Sequence, residues 1–242
     1  MNKSKFVIII PSRIGSTRLP RKPLAKIGEK SVIEHLIDNL KKFKDNLYIA
    51  TDSQEIADVA VKNGTNPLMT GECATGSDRI YQAFNQIDDK ENIKYVINIQ
   101  GDMPFINDKT ISNILERLER NDCDIVTAIA KIDADTAQNA SNVKVVVDNN
   151  QNAMYFSRAM IPHGAKEFNY HVGVYGFKTK ALEKFVHLSQ TECEKHESLE
   201  QLRALENGMK IGVFNSDEIP ISIDTPEDLK KAINYYNSIA NS

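Results

Sequence analysis

The feature that most constrains this sequence is the alternation, over residues 5–130, of apolar runs with apolar residues at helical spacing. Phe6–Ile10 is an unbroken apolar run, which is typical of a strand buried on both faces of a parallel sheet. Further strand-like runs occur at Leu47–Ala50, Pro67–Met69 and Tyr95–Ile99. Helical patterns lie between or after them at Val32–Leu40, Ile56–Ala60, Ile80–Phe84 and about Asp108–Arg120. This alternation predicts an α/β fold with a doubly wound, mostly parallel sheet.

The pattern changes after residue 140, where strand-like segments follow one another with few helices between them. These segments are Val143–Val147, Tyr155–Phe156 and Val172–Phe177. Helical patterns resume at Lys180–Leu188 and Leu199–Glu206, a strand follows at Ile211–Phe214, and a last helix opens at Thr225–Asp228. We therefore expect one domain over residues 1–242, with a smaller strand-rich lobe inserted at about 140–178.

Composition excludes several classes of protein. The chain of 242 residues is 41% hydrophobic and 26% charged, which is unlike disordered or low-complexity sequences. Its longest apolar run is too short for a membrane-spanning helix or a signal-peptide core, so we expect neither membrane insertion nor export. Cys73, Cys123 and Cys193 form no metal-ligand spacing and no disulfide framework. These observations predict a cytoplasmic protein.

Charge is distributed unevenly along the chain. Residues 1–28 contain seven basic side chains and no acidic one, although the whole chain has a net charge of −3. A basic segment on an acidic body indicates a local anion site, although a solvated basic terminus would have the same composition. Nothing in the sequence resembles a basic helix or an aromatic platform, so we expect no nucleic-acid partner.

The basic segment is concentrated in the loop that follows the first predicted strand, Pro11–Pro23. This loop contains Arg13, Arg18, Arg21 and Lys22 together with three prolines and several hydroxyl groups. It matches neither the P-loop pattern nor the glycine pattern of dinucleotide-binding folds, so a Rossmann dehydrogenase is disfavoured. Cations on a stiff loop suit a triphosphate, whose charge must be neutralised before a nucleophile can approach.

Two aspartates could complete a metal site. Asp102 follows the strand Tyr95–Ile99 on a glycine turn, and Asp224 precedes the predicted last helix. Each has an ordinary structural explanation, as a turn residue or as a residue near a helix start. Beside a triphosphate loop, however, two carboxylates are what Mg²⁺ requires when phosphate oxygens and waters supply its other ligands.

The order and spacing of several short motifs resemble one enzyme family over residues 5–236. The motifs are Pro11–Arg13, Ser16–Leu24, Thr51–Asp52, Gln100–Asp102, Tyr155–Arg158, His171–Phe177, Leu199–Arg203 and Asp224–Leu229. Together they resemble the 3-deoxy-manno-octulosonate (Kdo) cytidylyltransferases, also called CMP-Kdo synthetases. The resemblance implies a Rossmann-like nucleotidyltransferase fold, a homodimer and a Mg²⁺-dependent reaction of CTP with the sugar acid Kdo. The products would be pyrophosphate and CMP-Kdo, which is used in lipopolysaccharide biosynthesis.

The resemblance also implies roles for individual residues. Lys22, Asp102 and Asp224 would be catalytic, the two aspartates as metal ligands. CTP would be bound by Arg13, Arg18, Lys22, Thr75, Gly76, Ser77 and Gln100. The sugar acid would be bound by Arg158, His171, Tyr175, Glu200 and Gln201. The strand-rich lobe would serve sugar binding and dimerisation.

Some of these residues also fit a purely structural explanation, and two departures from the family pattern leave the sugar open. His171 and Tyr175 could be packing residues of one strand, and Glu200 and Gln201 could be solvent residues beside a leucine stripe. Met103 stands where the family commonly has an acid, and the Arg158–His171 connection is short. The alternatives are a cytidylyltransferase for 8-amino-Kdo or sialic acid, or a non-catalytic nucleotide-binding module.

Overall fold

A computed structural model describes residues 5–240 of the chain. Residues 1–4, which include Lys3 of the basic segment, and residues 241–242 lie outside the described residues, as do the two ends of the expected domain 1–242. The strands are β1 (Phe6–Pro11), β2 (Lys26–Ile27), β3 (Lys30–Ser31), β4 (Leu47–Thr51), β5 (Asn66–Met69), β6 (Tyr95–Asn98), β7 (Ile125–Asp133), β8 (Lys144–Val147), β9 (Ala153–Ser157), β10 (Glu167–Lys178) and β11 (Ile211–Asn215). The helices are α1 (Val32–Asn39), α2 (Gln54–Lys62), α3 (Gly76–Phe84), α4 (Asp108–Glu119), α5 (Ala134–Ala137), α6 (Thr179–Val186), α7 (Glu192–Glu197), α8 (Gln201–Glu206) and α9 (Pro226–Ala240).

These elements form an α/β fold with a mostly parallel mixed sheet and flanking helices, as the alternation of patterns predicts. The chain divides into two compact units. The first contains the described residues up to Ile93, Asn98–Lys109 and those from Pro220 onward; the second contains Lys94–Ile97 and Thr110–Ile219. The single domain with a lobe at 140–178 stays a prediction; β8, β9 and all of β10 lie in that range.

In the first unit, β1 pairs in parallel with β4, and β4 pairs in parallel with β5. Ile8, Ile9 and Ile10 are completely buried, which is the state that an unbroken apolar strand favours. Burial of each such side chain stabilises the fold by about 1.5–3 kcal/mol. A second apolar cluster joins Ile27 at β2 with Ile223 and Ala232, so that the segment before α9 is packed into the same unit.

In the second unit, the strand order is β11–β7–β10–β6, with β8 paired to β10 and β9 paired to β8. The pair β11–β7 is parallel, whereas β10–β7, β8–β10 and β8–β9 are antiparallel. The strand-rich pattern after residue 140 is therefore antiparallel, as hairpin-like connections require. None of the helices in the described part of the chain has the length and apolar composition of a membrane span.

The sequence pattern misses one long strand. β7 (Ile125–Asp133) is not predicted because Thr127 interrupts its apolar run, yet this hydroxyl is completely buried. The Thr127 side chain donates to a main-chain carbonyl, and this satisfies the polar atom inside the sheet. A buried, hydrogen-bonded threonine is compatible with a central strand, which a hydropathy pattern alone does not recognise.

Candidate active site

The loop that follows β1 is held by few bonds and carries most of the basic segment. The Ser12 N–H donates to the carbonyl of Ala50 at 2.8 Å, which extends the β1–β4 pairing by one residue. The Ile14 N–H donates to the Asp52 carboxylate at 3.1 Å. The loop ends in a short 3₁₀ turn at Lys22–Leu24, which places Lys22 beside the ends of other elements of this unit.

Lys22 joins the two aspartates that the sequence analysis selects as metal ligands. Its ammonium donates to Asp102 Oδ2 at 3.0 Å and to Asp224 Oδ1 at 2.9 Å. Arg18 reaches the other Asp224 oxygen at 3.2 Å. Asp102 and Asp224 are far apart in sequence, and the structure brings both carboxylates to one cation.

Backbone geometry explains how the two aspartates reach this position. Asp102 follows β6, and its carbonyl accepts a hydrogen bond from Ile223 N at 2.9 Å, which fixes the segment before Asp224. Asp224 precedes a capping box in which Asp228 accepts from the backbone and hydroxyl of Thr225, at 3.1 and 2.8 Å. The Thr225–Asp228 helix start predicted from the sequence is therefore present, and it directs Asp224 toward Lys22.

Burial and charge act in opposite directions on this cluster. Burial alone would lower the pKa of Lys22, but the adjacent carboxylates of Asp102 and Asp224 outweigh it, and the pKa is raised. For Asp102, burial raises the pKa, and the negative charge of Asp224 adds to the increase, while Lys22 opposes it. Two carboxylates this close need a cation between them, whether from the protein or from a ligand.

A second wall of the site is the N-terminal turn of α3. Thr75 caps this helix: its hydroxyl accepts from Asp78 N at 3.1 Å, and Asp78 accepts from Thr75 N at 3.0 Å. Gly76 is the first residue of the helix. Because a helix N-terminus carries partial positive charge, this wall also favours phosphate groups.

These elements surround a cleft of about 280 Å³, and the cleft lies within the first unit. Of the residues proposed for CTP or metal binding, all but one line it: Arg13, Arg18, Lys22, Thr75, Gly76, Gln100, Asp102 and Asp224. Ser77 is the exception, because its side chain is buried in α3. Met103, which replaces a common acid of the family, is also buried and does not line the cleft.

The cleft also contains residues that the sequence analysis does not select, among them Ser12, Cys73 and Arg79. Arg79 is almost completely buried, with 6% of its side chain exposed, and it donates to Thr70 and to Asp52. A hydrophobicity pattern gives no reason for an arginine to be buried. The bonds of Arg79 to Thr70 and to Asp52, which is far away in sequence, account for its burial.

The residues fit a magnesium ion that is bound together with phosphate. Oδ1 of Asp102 is buried and has no hydrogen-bond partner in another described residue. The described residues contain no group of three His, Cys, Asp or Glu side chains that could hold a metal alone. Two carboxylates with phosphate oxygens and waters are the ligand set that Mg²⁺ accepts. The donor set therefore suits a metal that arrives with its nucleotide.

The residues proposed for sugar binding lie in the second unit. His171 on β10 is buried, and its Nε2 is 2.9 Å from the hydroxyl of Thr127. That hydroxyl also lies 2.8 Å from the carbonyl of Val174, and a carbonyl can only accept. Since a hydroxyl has one proton to give, the His171 Nε2–H donates to Thr127, and Nδ1 is left as an acceptor. Burial lowers the pKa of His171 to about 3, so that the ring is neutral at pH 7.

The structure places three further predicted sugar residues close to His171 or to one another. The rings of His171 and Tyr175 are 5.5 Å apart. Burial raises the pKa of Tyr175, and the nearby Glu200 carboxylate raises it further. Gln201 begins α8, and its buried Nε2 has no hydrogen-bond partner among the described residues. Tyr175 on β10 is therefore near Glu200, the residue that directly precedes α8.

Arg158, the remaining predicted sugar residue, is bonded to main-chain carbonyls. Its Nε donates to the carbonyl of Glu197 at 2.7 Å, and its two terminal nitrogens donate to Ala140 and Ser198. The Glu197 carboxylate in turn accepts from the Arg158 N–H at 2.8 Å. In this structure the guanidinium therefore holds the turn between α7 and α8, which ends at Glu200, directly before Gln201.

The chain is similar to known proteins over nearly its whole length. A family model described as cytidylyltransferase matches residues 7–211. The chain is 50% identical to a 3-deoxy-manno-octulosonate cytidylyltransferase of Rickettsia bellii (strain OSU 85-389), with 98% of each chain covered. It is 52% identical to the enzyme of that name from Rickettsia rickettsii (strain Sheila Smith), over 97% of this chain and 98% of the other. A solved structure of CMP:2-keto-3-deoxy-manno-octonic acid synthetase complexed with CTP superposes with a TM-score of 0.91 at 31% identity, over 98% of this chain and 100% of the other.

Proposed function

The chain belongs to the cytidylyltransferase family, among the 3-deoxy-manno-octulosonate cytidylyltransferases, and we propose that its cleft binds CTP with Mg²⁺ for transfer to Kdo. The enzyme is a nucleotidyltransferase: CTP and Kdo give CMP-Kdo and pyrophosphate. The observation that carries the proposal for the site is the shared contact of Lys22 with Asp102 and Asp224 at the wall of a basic cleft.

In the proposed site, the basic loop and the start of α3 hold the triphosphate between them. Arg13 and Arg18 lie on the loop side, and Gly76 on the helix side. The charges of the two arginines, and the partial positive charge of the helix start, offset the negative charge of the triphosphate, which would otherwise repel an incoming hydroxyl. Lys22 can exchange its carboxylate partners for phosphate oxygens, since its ammonium has three donors and a flexible stem.

Asp102 and Asp224 would hold the magnesium ion. The chemistry that a bound Mg²⁺ supplies is polarisation of the α-phosphate and a lower pKa of the attacking sugar hydroxyl. The anomeric hydroxyl of Kdo attacks the α-phosphorus and gives its proton to solvent. The new oxygen–phosphorus bond forms as the bond from the α-phosphorus to the bridging oxygen of pyrophosphate breaks. Because phosphoryl transfer depends mainly on positioning and charge, no nucleophilic side chain is needed.

The second unit would bind the sugar acid. Kdo carries a carboxylate and several hydroxyls, so it needs both donors and acceptors. Gln201 offers a buried amide donor. The carboxylate of Glu200 and, by its tautomer, Nδ1 of His171 are acceptors suited to hydroxyls. Arg158 and Tyr175 complete the set that the family resemblance implies.

We also propose that the enzyme is a cytoplasmic homodimer that supplies activated sugar for lipopolysaccharide. Three free cysteines among the described residues suit a reducing compartment. Met154, Tyr155 and Met160, in or just after β9, are exposed apolar side chains in the lobe proposed for dimerisation. Light scattering should give twice the chain mass for the parent protein and a lower mass for Met154→Glu. A parent protein of single-chain mass at micromolar concentration would overturn the dimer.

Substrate identity is tested by pyrophosphate release with each nucleoside triphosphate against Kdo, 8-amino-Kdo and sialic acid, with and without Mg²⁺. We expect release with CTP and Kdo in the presence of Mg²⁺. Faster release with 8-amino-Kdo or sialic acid would reassign the sugar. Release that is unchanged after chelation would overturn the metal site. A protein that binds CTP and releases no pyrophosphate with any of these acids would be the non-catalytic module.

A further inference from the structure

One carboxylate connects the two walls of the cleft. Asp52, directly after β4, accepts from the Ile14 N–H at 3.1 Å through Oδ1 and from Arg79 Nη2 at 3.0 Å through Oδ2. Ile14 lies in the basic loop, and Arg79 lies in α3, whose first turn forms the opposite wall. We propose that Asp52 is a positioning residue that holds the basic loop in the conformation that binds CTP. This inference rests on the proposed function.

The contact of Asp52 with Ile14 is the backbone anchor of the loop. Among residues 13–18 as described, only the Ile14 N–H donates a hydrogen bond from the backbone. Arg13 and Arg18 lie on either side of this anchor and have exposed side chains. Without it, no backbone N–H of the described residues 13–18 would donate a hydrogen bond, and the Arg18–Asp224 contact would be the remaining bond of this segment to the aspartates of the cleft.

The contact of Asp52 with Arg79 makes the anchor rigid. With 6% of the Arg79 side chain exposed, its guanidinium is nearly removed from water, and Asp52 is its carboxylate partner in the described structure. Arg79 also donates to the hydroxyl of Thr70. A buried charge that loses its partner is costly, so the Asp52 side chain is held in one orientation with Oδ1 facing the loop. Charge-assisted hydrogen bonds of this kind are about twice as strong as neutral ones.

The consequence concerns CTP and not the sugar acid. A loop without its anchor must be ordered when the nucleotide binds, and that ordering reduces affinity. We expect Asp52→Ala to raise the dissociation constant and the KM for CTP about tenfold. The KM for Kdo should stay near that of the parent, because the residues proposed for Kdo lie in the second unit. At saturating CTP, kcat should stay within about threefold, because the charges themselves are retained.

Two variants and one matched control test this role. Asp52→Ala removes both contacts, whereas Asp52→Asn keeps an oxygen for the Ile14 N–H and loses the charge facing Arg79. Asp89→Ala is the control, because Asp89 pairs with Lys5 at the surface, where both side chains are more than half exposed. The affinity for CTP is measured by calorimetric titration with CTP and Mg²⁺, without any sugar acid. Asp52→Ala should lose the most affinity and Asp52→Asn less, whereas Asp89→Ala should bind CTP as the parent does.

Trypsin supplies a readout that is independent of binding and turnover. In the absence of CTP, Asp52→Ala should be cleaved after Arg13 several times faster than the parent, while cleavage after Arg120 in the second unit should be unchanged. Parent-like CTP affinity and parent-like cleavage in a folded Asp52→Ala protein would overturn the inference. Equally faster cleavage after Arg13 and after Arg120 would also overturn the inference, since it would reflect general unfolding.

If Asp52→Ala does not fold, the CTP titration and the trypsin cleavage of Asp52→Asn test the inference instead. A parent protein that does not bind CTP would instead overturn the proposed function, and the cleavage result would still show whether Asp52 anchors the loop.

Discussion

The Nζ atom of Lys22 lies 3.0 Å from Oδ2 of Asp102, a contact between residues eighty positions apart in the sequence. The same ammonium donates to Asp224. Lys22 is thereby the cation that offsets two neighbouring carboxylates, and its side chain is only 16% exposed. This cluster joins the basic loop, the turn after β6 and the segment before α9 at one point of the cleft.

Replacement of Lys22 by methionine should remove this charge and keep the aliphatic stem. We expect Lys22→Met to reduce kcat/KM for CTP by about 10²–10³-fold, because a preorganised cation beside the transferred phosphate is lost. Lys22→Arg, which keeps the charge with a different geometry, should show a smaller reduction of kcat/KM for CTP. Steady-state pyrophosphate release with Kdo measures both. A Lys22→Met enzyme within threefold of the parent would contradict the assignment.

Gly101 is required by a close approach of two backbones. A Cβ at this position would lie 2.7 Å from the carbonyl oxygen of Pro11, and this oxygen cannot move without disturbing the end of β1. Gly101→Ala should therefore destabilise the protein by about 1–3 kcal/mol and displace Asp102. Urea unfolding and CTP titration test the two effects. Gly15→Ala is the control, because its added Cβ would meet no atom within 4 Å. Equal losses in the two variants would contradict the steric explanation.

His171 should make stability depend on pH below neutrality. Its pKa is about 3 in the fold and about 6.5 in its ordinary state, because burial disfavours the charged ring. Below pH 6.5 the unfolded chain therefore binds a proton that the folded chain does not. The free energy of unfolding should fall by about 1.4 kcal/mol per pH unit on this account, down to the folded pKa. Above pH 6.5 the residue should contribute no pH dependence.

The matched measurement compares the parent with His171→Gln, by urea unfolding at intervals from pH 7.5 to 5. The difference in unfolding free energy between the two proteins should be constant above pH 6.5. Below pH 6.5, the unfolding free energy of the parent should fall relative to that of His171→Gln as the pH falls. A constant difference over the whole range would show that His171 is not neutral inside the fold.

Arg203 on α8 and Glu194 on α7 form a buried ion pair between the two helices on either side of Glu200. Arg203 Nε donates to Glu194 at 2.8 Å, and its guanidinium lies 5.2 Å from the centre of the Phe185 ring. Burial alone would raise the pKa of Glu194, but the bonds from Arg203 hold it below its ordinary value. Arg203→Met should lower the free energy of unfolding by about 3–5 kcal/mol, since it leaves a buried carboxylate without its cation.

The control for that prediction is Lys195→Met, which removes a cation from an exposed pair with Glu192 on the same helix. Urea unfolding should show a much smaller loss for this variant, because water and salt screen exposed pairs. Equal losses for Arg203→Met and Lys195→Met would contradict the buried role of Arg203.

The sequence predicts β1 and β4 of the first unit, because both are mainly apolar and their pattern has few alternatives. The two-residue strands β2 and β3 have no such pattern and are not predicted. It also selects five charged residues of the cleft, Arg13, Arg18, Lys22, Asp102 and Asp224, but not Arg79. What it does not show are roles that depend on distant pairing. Asp52 stands in the Thr51–Asp52 motif and Thr127 stands in no motif, and neither pattern shows a role. Their roles follow from contacts with Arg79 and His171, which only the folded chain brings near. The bonding of Arg158 to main-chain carbonyls is likewise invisible before folding.

Asp102 and Asp224 together should hold one metal ion for CTP. Binding of Mn²⁺, measured by electron paramagnetic resonance in the presence of CTP, tests it in the parent, in Asp102→Asn, in Asp224→Asn and in the double variant. Each single change should weaken Mn²⁺ binding by at least about tenfold. The double variant should bind Mn²⁺ with an affinity only slightly below that of the single variant that binds less tightly, because both residues belong to one site. Parent-like binding in either single variant, or losses that multiply in the double variant, would contradict a shared metal site.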